Sequence, residues 1–258
     1  MNYTWSFPYI KDVKIAFEVG SRDLLDANEI AGKYNCKVYS FECNPDCIRE
    51  CLKNNTDDRV NLIQKAVCDK DDKIGFMAFD LNKYDNMGAS SIYEIDFTSN
   101  RPTYDPDYGR KDVQKKVEVD ACRLDTFCNE QNIIPDAIFM DVQEAELSVL
   151  KSLGELLKKV KYIVFEASNK PTYKGGCSYK DIDDFLRDKG FGYRGDNMPE
   201  SQKNNFNWGF CDWLYVNKNV LWAIFLKYFR DYDEIEETYD DENYFDKAVK
   251  ILYEKERD

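Results

Sequence analysis

At residues 13–20 the chain reads VKIAFEVG, an apolar run that predicts a buried strand ending in a turn at Gly20. An amphipathic segment predicts a helix over residues 24–34, and KVYSFE at residues 37–42 predicts a second buried strand. Another helix separates this strand from a third one, predicted at residues 60–67. Strands that alternate with helices through short turns indicate a parallel, doubly wound α/β sheet.

A polar stretch interrupts the alternation, which then resumes. Short β segments at residues 73–79 and 117–119 bracket this stretch, which contains Gly88-Ala89-Ser90-Ser91 and the turn-rich residues 101–109. Its length predicts a functional loop or lid. The later elements are a helix at 124–132, a strand at 136–141, a helix with a leucine face from Leu147 to Leu157, a strand at 162–166, a helix at 179–189 and a strand at 211–217. We therefore expect one α/β domain over residues 1–218.

The C-terminal residues 219–258 differ in composition from this domain. Residues 227–258 hold twelve acidic and six basic residues, with seven aromatic residues between them. The pattern predicts one or two amphipathic helices that pack on the domain edge, on a protein partner or on a second copy of the chain. We treat residues 219–258 as an acidic, aromatic-rich helical appendage.

The composition excludes several mechanisms. The 258 residues include no histidine, and 36 basic against 49 acidic side chains give a formal net charge of −13. Without imidazole there is no Ser-His-Asp or Cys-His nucleophile and no histidine-ligated zinc or haem, so acid–base chemistry must use carboxylates, Lys, Tyr, Cys or water. The acidic balance disfavours nucleic acid as a partner, because phosphate binding relies on clustered Lys and Arg.

Cysteine usage and hydropathy predict the compartment. None of the nine cysteines forms a Cys-x-x-Cys pair, which favours reduced thiols over a disulfide or metal framework. The N-terminus lacks the basic and apolar regions of a signal peptide, and the longest apolar run, Val220 to Leu226, is too short to span a membrane. We therefore expect a cytoplasmic protein with no membrane partner.

Carboxylates stand at four predicted strand ends, at Glu18, Glu42, Asp141 and Glu166. Open α/β sheets bind ligands outside the carboxyl ends of their strands, at the switch in strand order. Gly20 lets the backbone approach a ligand closely, and an acid placed like Glu42 commonly accepts hydrogen bonds from ribose hydroxyls. The four acids therefore predict a nucleoside-binding site at one edge of the sheet.

The turn after Gly20 narrows the choice of ligand. It continues Ser21-Arg22-Asp23-Leu24, without the further glycines of a dinucleotide-binding turn, and the chain contains no Gly-Lys-Ser/Thr of a P-loop. A pocket with acids and no phosphate cradle suits a ligand that carries a ribose and a cation. S-adenosylmethionine, with its ribose and its sulfonium, fits this pattern.

The order of these motifs resembles that of the FkbM-type S-adenosylmethionine-dependent methyltransferases over residues 13–218. The matching pieces are residues 17–23, 41–45, 66–69, 88–91, 140–150 and 165–168, with Tyr173 and Gly190-Phe191. The run MDVQEAELSVL at residues 140–150 is the most specific of them. The resemblance implies a mostly parallel, seven-stranded sheet of the class I methyltransferase, Rossmann-like type, with the last strand antiparallel.

The same resemblance implies roles for individual residues. It assigns the methionine part of the cofactor to Glu18, Gly20 and Ser21, the ribose to Glu42 and the adenine to residues 65–67. Asp141 is implied to face the reacting centre. The full set of cofactor-binding candidates is Glu18, Gly20, Ser21, Arg22, Asp23, Glu42, Cys43, Lys65, Ala66, Val67 and Asp141.

Three positions depart from the usual pattern of that family. Glu18 stands where aspartate is commoner, and Leu24 stands where many members have glycine. Glu144 replaces the glycine that usually precedes Ala145 and Glu146. We expect the Glu144 side chain either to crowd the acceptor or to supply a new contact.

The expected chemistry is in-line transfer of a methyl group to a hydroxyl oxygen, which loses its proton. Because the chain has no histidine, the candidate bases are Asp141 and Glu166, acting directly or through water. An Mg²⁺ ion held by these two carboxylates is an alternative that the sequence does not select. Ser90 and Ser91 complete the catalytic candidates, as residues that orient the acceptor or close over the cofactor.

Three functional hypotheses compete. The first is an O-methyltransferase acting on a sugar hydroxyl of a glycan or small glycoside, which the motif order and the missing basic surface favour. The second is a catalytically degenerate methyltransferase fold that serves as a binding or scaffold protein, with Leu24 and Glu144 as signs of decay. The third is an RNA ribose methyltransferase, which would require a basic groove.

Overall fold

A computed structural model describes residues 2–83, 86–97, 112–199 and 210–219 of the chain. Apart from Asn219, the predicted appendage at residues 219–258 lies outside the described residues, as do residues 101–109 of the predicted loop. The four described ranges contain no helix that is long and apolar enough to cross a membrane.

Ten strands and five α-helices make up the described residues. The strands are β1 Ile15–Val19, β2 Lys37–Phe41, β3 Val60–Ile63, β4 Ala66–Val67, β5 Lys73–Phe79, β6 Gln114–Cys122, β7 Ala137–Met140, β8 Tyr162–Ser168, β9 Phe191–Asp196 and β10 Phe210–Asn217. The α-helices are α1 Leu25–Tyr34, α2 Pro45–Asn54, α3 Leu124–Gln131, α4 Glu146–Ser152 and α5 Tyr179–Asp188. Short 3₁₀ helices span Thr4–Tyr9, Met87–Ala89 and Gly154–Lys159.

Seven of the strands form one sheet in the order β3-β2-β1-β7-β8-β10-β9. β10 runs antiparallel to β8 and β9, whereas all neighbours from β3 to β8 are parallel. The predicted doubly wound, mostly parallel α/β sheet with an antiparallel last strand is therefore confirmed. The strand order reverses at β1, so the carboxyl ends of β1 and β7 meet at the switch point where such sheets bind ligands.

Both faces of the sheet are covered by helices. The first 3₁₀ helix, α1 and α2 pack on one face, and α3, α4 and α5 pack on the other. On β7, Ile138 and Met140 point to one face and Ala137 and Phe139 to the other. A parallel strand buried on both faces has a continuous run of apolar residues. The residue types of β7 alone therefore predicted it.

The structure corrects the predicted third strand. Residues 60–67 do not form one strand, because β3 joins the main sheet while β4 pairs with β6 in a separate sheet of order β4-β6-β5. The chain turns between them, where the Lys65 N–H donates to the Ile63 carbonyl at 2.9 Å. Apolar residues stand on both sides of this turn, so the hydrophobic pattern concealed it.

Other elements also differ from the predicted pattern. β9 and the 3₁₀ helix Thr4–Tyr9 were not predicted, and β6 extends well beyond the predicted residues 117–119. The predicted leucine-faced helix breaks near Gly154, whose φ of +53° separates α4 from the 3₁₀ helix after it. Its leucines still reach one core cluster, because both helical segments pack on the same face of the sheet.

Gly20 allows the strands at the switch point to approach each other. Its φ is +88°, in the left-handed region that favours glycine, and a Cβ built on it would lie 1.9 Å from the Asp141 carbonyl oxygen. The Asp141 N–H in turn donates to the Val19 carbonyl at 3.0 Å. A side chain at position 20 would therefore force the end of β7 away from β1.

We predict that Gly20→Ala destabilises the protein by about 2–6 kcal/mol, the sum expected for backbone strain and overpacking. Gly32→Ala is the matched control, because Gly32 lies within α1 and a Cβ there would meet no atom within 4 Å. The control should gain about 0.5–1 kcal/mol from helix propensity. Urea denaturation followed by circular dichroism measures both changes, and equal stabilities of the two variants would contradict the close approach.

Candidate functional site

A cavity of about 520 Å³ opens at the carboxyl ends of β1, β2, β7 and β8, within the usual size range of small-ligand pockets. The predicted site residues that line it are Gly20, Ser21, Arg22, Glu42, Cys43, Lys65, Ala66, Val67, Ser90, Asp141 and Glu166. Glu18, Asp23 and Ser91 lie outside this lining. Asp23 instead forms an ion pair with Arg22 at 2.9 Å.

The turn between β1 and α1 forms one wall of the cavity in a strained conformation. Arg22 and Leu24 have φ angles of +58° and +66°, which side chains rarely adopt. The N–H groups of Gly20 and Ser21 both donate to the Phe41 carbonyl, at 2.9 and 3.2 Å, and tie the turn to the end of β2. The left-handed backbone at Leu24 explains why glycine suits this position, and burial of the leucine side chain offsets the strain here.

Glu42 is held at the edge of the cavity by backbone donors. Its Oε1 accepts hydrogen bonds from the N–H groups of Cys43 at 2.8 Å and Asn44 at 2.7 Å, and its Oε2 accepts from the Arg22 N–H at 2.8 Å. Burial raises the pKa of this carboxyl, and the three N–H donors act against the rise. Because a carboxylate has about four lone-pair positions, Oε2 keeps one for a ligand hydroxyl.

Glu18, for which cofactor binding is predicted, lies behind the cavity wall. Its carboxylate accepts a hydrogen bond from the hydroxyl of Ser40, which stands directly opposite on β2. Burial raises the pKa of Glu18 to about 8. Successive side chains of a strand point to opposite faces, so Glu18 faces the side covered by α1 while Val19 lines the cavity.

The hydroxyl protons of Ser90 and Ser91 are engaged within the protein. Ser90 donates to the Met87 carbonyl at 2.9 Å and also accepts from two N–H groups, one of them the Phe79 backbone. Ser91 donates to the Gln143 carbonyl at 2.8 Å. Both serines therefore hold the loop over the cavity in this structure, and neither presents a free hydroxyl proton to an acceptor.

Asp141 and Glu166 face the cavity and share one side-chain amide. The Nε2 of Gln143 donates to Asp141 Oδ1 at 2.7 Å and to Glu166 Oε2 at 3.3 Å. Burial raises the pKa of both carboxyls, and the charge of Asp141 adds to the rise that brings the pKa of Glu166 to about 9. At neutral pH Glu166 is therefore protonated.

These two carboxylates are also the ligands considered for Mg²⁺. Each points one oxygen at the Nε2 of Gln143, which donates to both. Across the part of the chain that the structure describes, no group of three or more His, Cys, Asp or Glu residues is arranged to hold a metal ion.

Gln143 is a site residue that the sequence patterns did not single out. With φ angles of +53° and +69°, Gln143 and Glu144 form a second strained turn at the cavity edge. The one sequence signal for Gln143 was its place in the motif at residues 140–150, because residue type alone does not reveal an amide that bridges two acids. Tyr3 and Phe210 also line the cavity. Sequence patterns did not predict them, because both residues lie far from the motifs along the chain.

Comparison with known proteins places this site in a family. A family model described as the methyltransferase FkbM domain matches residues 19–193. The chain belongs to the FkbM methyltransferase family. The resemblance seen in the sequence motifs is thereby confirmed. A curated relative, the 2-O-methyltransferase NoeI of Sinorhizobium fredii, is 26% identical over 176 residues, which cover 67% of this chain and 70% of that protein.

Solved structures of lower identity are similar to this FkbM family member as well. Precorrin-6y C5,15-methyltransferase from Geobacter metallireducens is 12% identical, with a TM-score of 0.43 over 83% of this chain and 85% of that chain. An rRNA methylase from Streptococcus thermophilus is 10% identical, with a TM-score of 0.44 over 82% of this chain and 92% of that chain.

The FkbM match leaves out two parts of the cavity wall. Tyr3 precedes the matched residues 19–193 and Phe210 follows them. One residue comes from the start of the described chain and the other from β10, the antiparallel strand. The cavity is therefore completed by residues that the family pattern does not describe.

Glu144, which we expected either to crowd the acceptor or to supply a new contact, does not crowd the cavity. Its carboxylate accepts hydrogen bonds from the Thr172 N–H at 2.6 Å and the Tyr173 N–H at 2.8 Å, away from the cavity lining. Gly176 leaves room for it, since a Cβ there would lie 2.2 Å from Glu144 Oε2. The Tyr173 hydroxyl then donates to the Ala89 carbonyl at 2.7 Å. The new contact expected of Glu144 thus exists, but it holds a loop.

The buried acids of this FkbM protein predict a pH-dependent stability. Burial raises the folded-state pKa to about 8 for Glu18 and Glu146 and to about 9 for Glu166, from an ordinary value of 4.5. Between these values the folded state binds more protons than the unfolded state, so the free energy of unfolding falls as pH rises from about 5 to about 9. We expect a loss of at least about 1 kcal/mol, the equivalent of one pKa unit in one group.

Urea denaturation of the wild type and of Glu166→Gln across that pH range measures this dependence. The variant lacks one of the titrating groups, so its stability relative to the wild type should rise as the pH increases. A wild type that became more stable between pH about 5 and about 9 would contradict the raised pKa values.

Proposed function

We propose that this FkbM family member is an S-adenosylmethionine-dependent O-methyltransferase that modifies a sugar hydroxyl of a glycan or small glycoside. The observation that carries the proposal is the buried acid pair, Asp141 and Glu166, bridged by Gln143 in a cavity whose edge holds Glu42. The pair supplies a base, and Glu42 supplies an acceptor for a ribose, in one enclosed space.

The cavity walls fit the parts of the cofactor. Glu42 Oε2 keeps an acceptor position for a ribose hydroxyl. Ala66, Val67 and Phe76 form an apolar wall, to which we assign the adenine. We assign the methionine part to the turn at Gly20, where the absence of a Cβ lets the backbone come close.

The charge of the cavity supports a cationic ligand. Its described lining includes four acidic side chains, Asp26, Glu42, Asp141 and Glu166, and two basic ones, Arg22 and Lys65. Even with Glu166 protonated, the negative charges outnumber the positive ones, which stabilises a bound cation. S-adenosylmethionine, when bound, supplies a methyl group carried on a cationic sulfur.

Asp141 is the base in this proposal. We assign it as the ionised member of the pair, because Glu166 has a pKa of about 9 and stays protonated at neutral pH. The hydrogen bond from Gln143 holds the Asp141 carboxylate in position to accept the proton of the acceptor hydroxyl. The positioning of the hydroxyl by the cavity walls contributes most of the remaining rate, up to about 7–11 kcal/mol.

Two observations favour a sugar hydroxyl as the acceptor. The curated relative is named as a 2-O-methyltransferase, so its methyl group goes to oxygen. Phe210 lines the cavity and is 36% exposed, so it presents aromatic surface beside the polar groups that would recognise sugar hydroxyls. The net charge of −13 disfavours RNA.

The proposal also covers the setting of the enzyme. We place it in the cytoplasm, and all nine cysteines are free thiols, as expected in a reducing compartment. We further propose residues 219–258, with their acidic and aromatic composition, as a surface for a protein partner or a second copy of the chain.

Calorimetric titration with S-adenosylhomocysteine, the product form of the cofactor, tests the binding step. We predict that Glu42→Gln weakens binding about tenfold or more, because a charged acceptor of the ribose hydroxyl is lost. Glu50→Gln is the control, since Glu50 is a half-buried residue of α2 that pairs with Lys53 outside the cavity. A wild type that binds no product would sink the proposal and favour the degenerate scaffold.

Methyl transfer from labelled S-adenosylmethionine to a panel of glycosides tests the division of charge in the acid pair. We predict that Asp141→Asn lowers the rate by about 10²–10⁴-fold while product binding persists, because the base is removed. Glu166→Gln imitates a protonated carboxyl, so it should stay within about tenfold of the wild type. Equal losses in the two variants would refute the assignment of the base.

A further inference from the structure

Tyr3, which precedes the FkbM match, is a buried part of the cavity wall. It is 2% exposed, lines the cavity and packs its ring against Phe139 of β7 at a centroid distance of 5.1 Å. Its carbonyl accepts from the backbone N–H of Ser6 at 2.9 Å and from the Ser6 hydroxyl at 2.7 Å. The ring is therefore fixed by the 3₁₀ helix that follows it.

The hydroxyl of Tyr3 has no hydrogen-bond partner among the described residues, although its ring is buried. Two other tyrosines buried to the same degree are paired: Tyr173 donates to the Ala89 carbonyl and Tyr215 to the Asp183 carboxylate. The Tyr3 hydroxyl is not one of the buried polar atoms that lack a partner, so it opens onto the cavity that Tyr3 lines. Its proton is therefore available to a ligand atom in the cavity.

The surroundings of Tyr3 favour the protonated form of its hydroxyl, which can donate a hydrogen bond. Burial raises its pKa well above the usual value, and the charges of Asp141, Glu18, Asp26 and Asp212 raise it further. The phenol therefore keeps its proton at neutral pH, and it can donate to an anionic oxygen without adding charge to the site.

The same acids show which end of the cavity Tyr3 occupies. Asp141 directly follows β7, and the other three acids lie on β1, in the first turn of α1 and on β10. The assigned adenine wall at residues 66–67 follows β3, three strands away from β7 in the sheet order. Neighbouring strands are about 4.8 Å apart, so these two ends of the site are separated by roughly 14 Å. Tyr3 is thus at the end assigned to the methionine part.

The backbone donors of the turn at that end are already engaged. The backbone N–H groups of Gly20 and Ser21 donate to the Phe41 carbonyl, and the Arg22 N–H donates to Glu42. The amino acid part of S-adenosylmethionine carries an anionic carboxylate, which needs a donor to enter a cavity of net negative charge. Resting on the proposed function, we propose that the Tyr3 hydroxyl donates a hydrogen bond to the α-carboxylate of the bound cofactor.

The test compares two ligands by calorimetry on the full chain. S-adenosylhomocysteine carries the amino acid part, and 5′-methylthioadenosine has the same adenosine thioether without it. We expect Tyr3→Phe to weaken binding of S-adenosylhomocysteine about tenfold and to leave 5′-methylthioadenosine within about twofold, because only the first ligand offers a carboxylate.

Tyr34→Phe is the matched control. Its hydroxyl contacts the Phe7 carbonyl of the same N-terminal 3₁₀ helix at 3.5 Å, and Tyr34 lies outside the cavity lining. This variant should bind both ligands as the wild type does. Thermal unfolding of both variants checks that each is folded, and Tyr3→Phe removes a single oxygen from a ring whose packing stays the same.

Each outcome decides the matter. Loss confined to S-adenosylhomocysteine supports the carboxylate contact. Unchanged binding of S-adenosylhomocysteine by Tyr3→Phe, or equal weakening of both ligands, overturns it while leaving the proposed methyltransferase intact. If the wild type binds neither ligand, that result contradicts the proposed function itself, and the proposed Tyr3 contact fails together with it.

Discussion

The contact between the turn after β1 and the end of β7 is the constraint on which the site depends. Gly20 lies so close to the Asp141 carbonyl that one additional carbon atom would overlap it. This approach joins the carboxyl ends of the two strands where the strand order reverses. Glu42 after β2 and Glu166 on β8 then fall on either side, because each neighbouring strand continues the same edge. The cavity and its acid pair follow from that geometry.

The second feature of the site is its buried carboxylic acids, which matter for acid–base chemistry because the chain has no histidine. The surroundings of these acids differ. Glu42 receives three backbone N–H groups and serves as an acceptor, whereas Glu18 has a serine hydroxyl and a pKa of about 8. Asp141 and Glu166 share the amide of Gln143, and burial raises the pKa of both carboxyls. Burial and the donors around each carboxyl together set its pKa.

Local patterns located several residues of the cavity lining. Gly20, Glu42, Asp141 and Glu166 line the cavity because each follows or ends an apolar run that the sequence reveals. Glu18 lies outside the cavity lining, because the alternation of side chains along β1 turns it to the covered face, where it pairs with Ser40. The third predicted strand divided for a related reason, because hydrophobic residues show that a segment is buried and do not show which sheet it joins.

The sequence alone revealed the alternation of apolar strands and amphipathic helices, the acid–base groups available without histidine, and the strand ends at which acids stand. These properties follow from composition and from hydrophobic periodicity over a few residues. Only the tertiary structure decided that Tyr3 and Phe210 complete the cavity, that Gln143 bridges two acids and that Glu144 turns toward a loop. Those outcomes depend on distances between segments remote in the chain, which the packing of the sheet and its helices sets and local propensity does not encode.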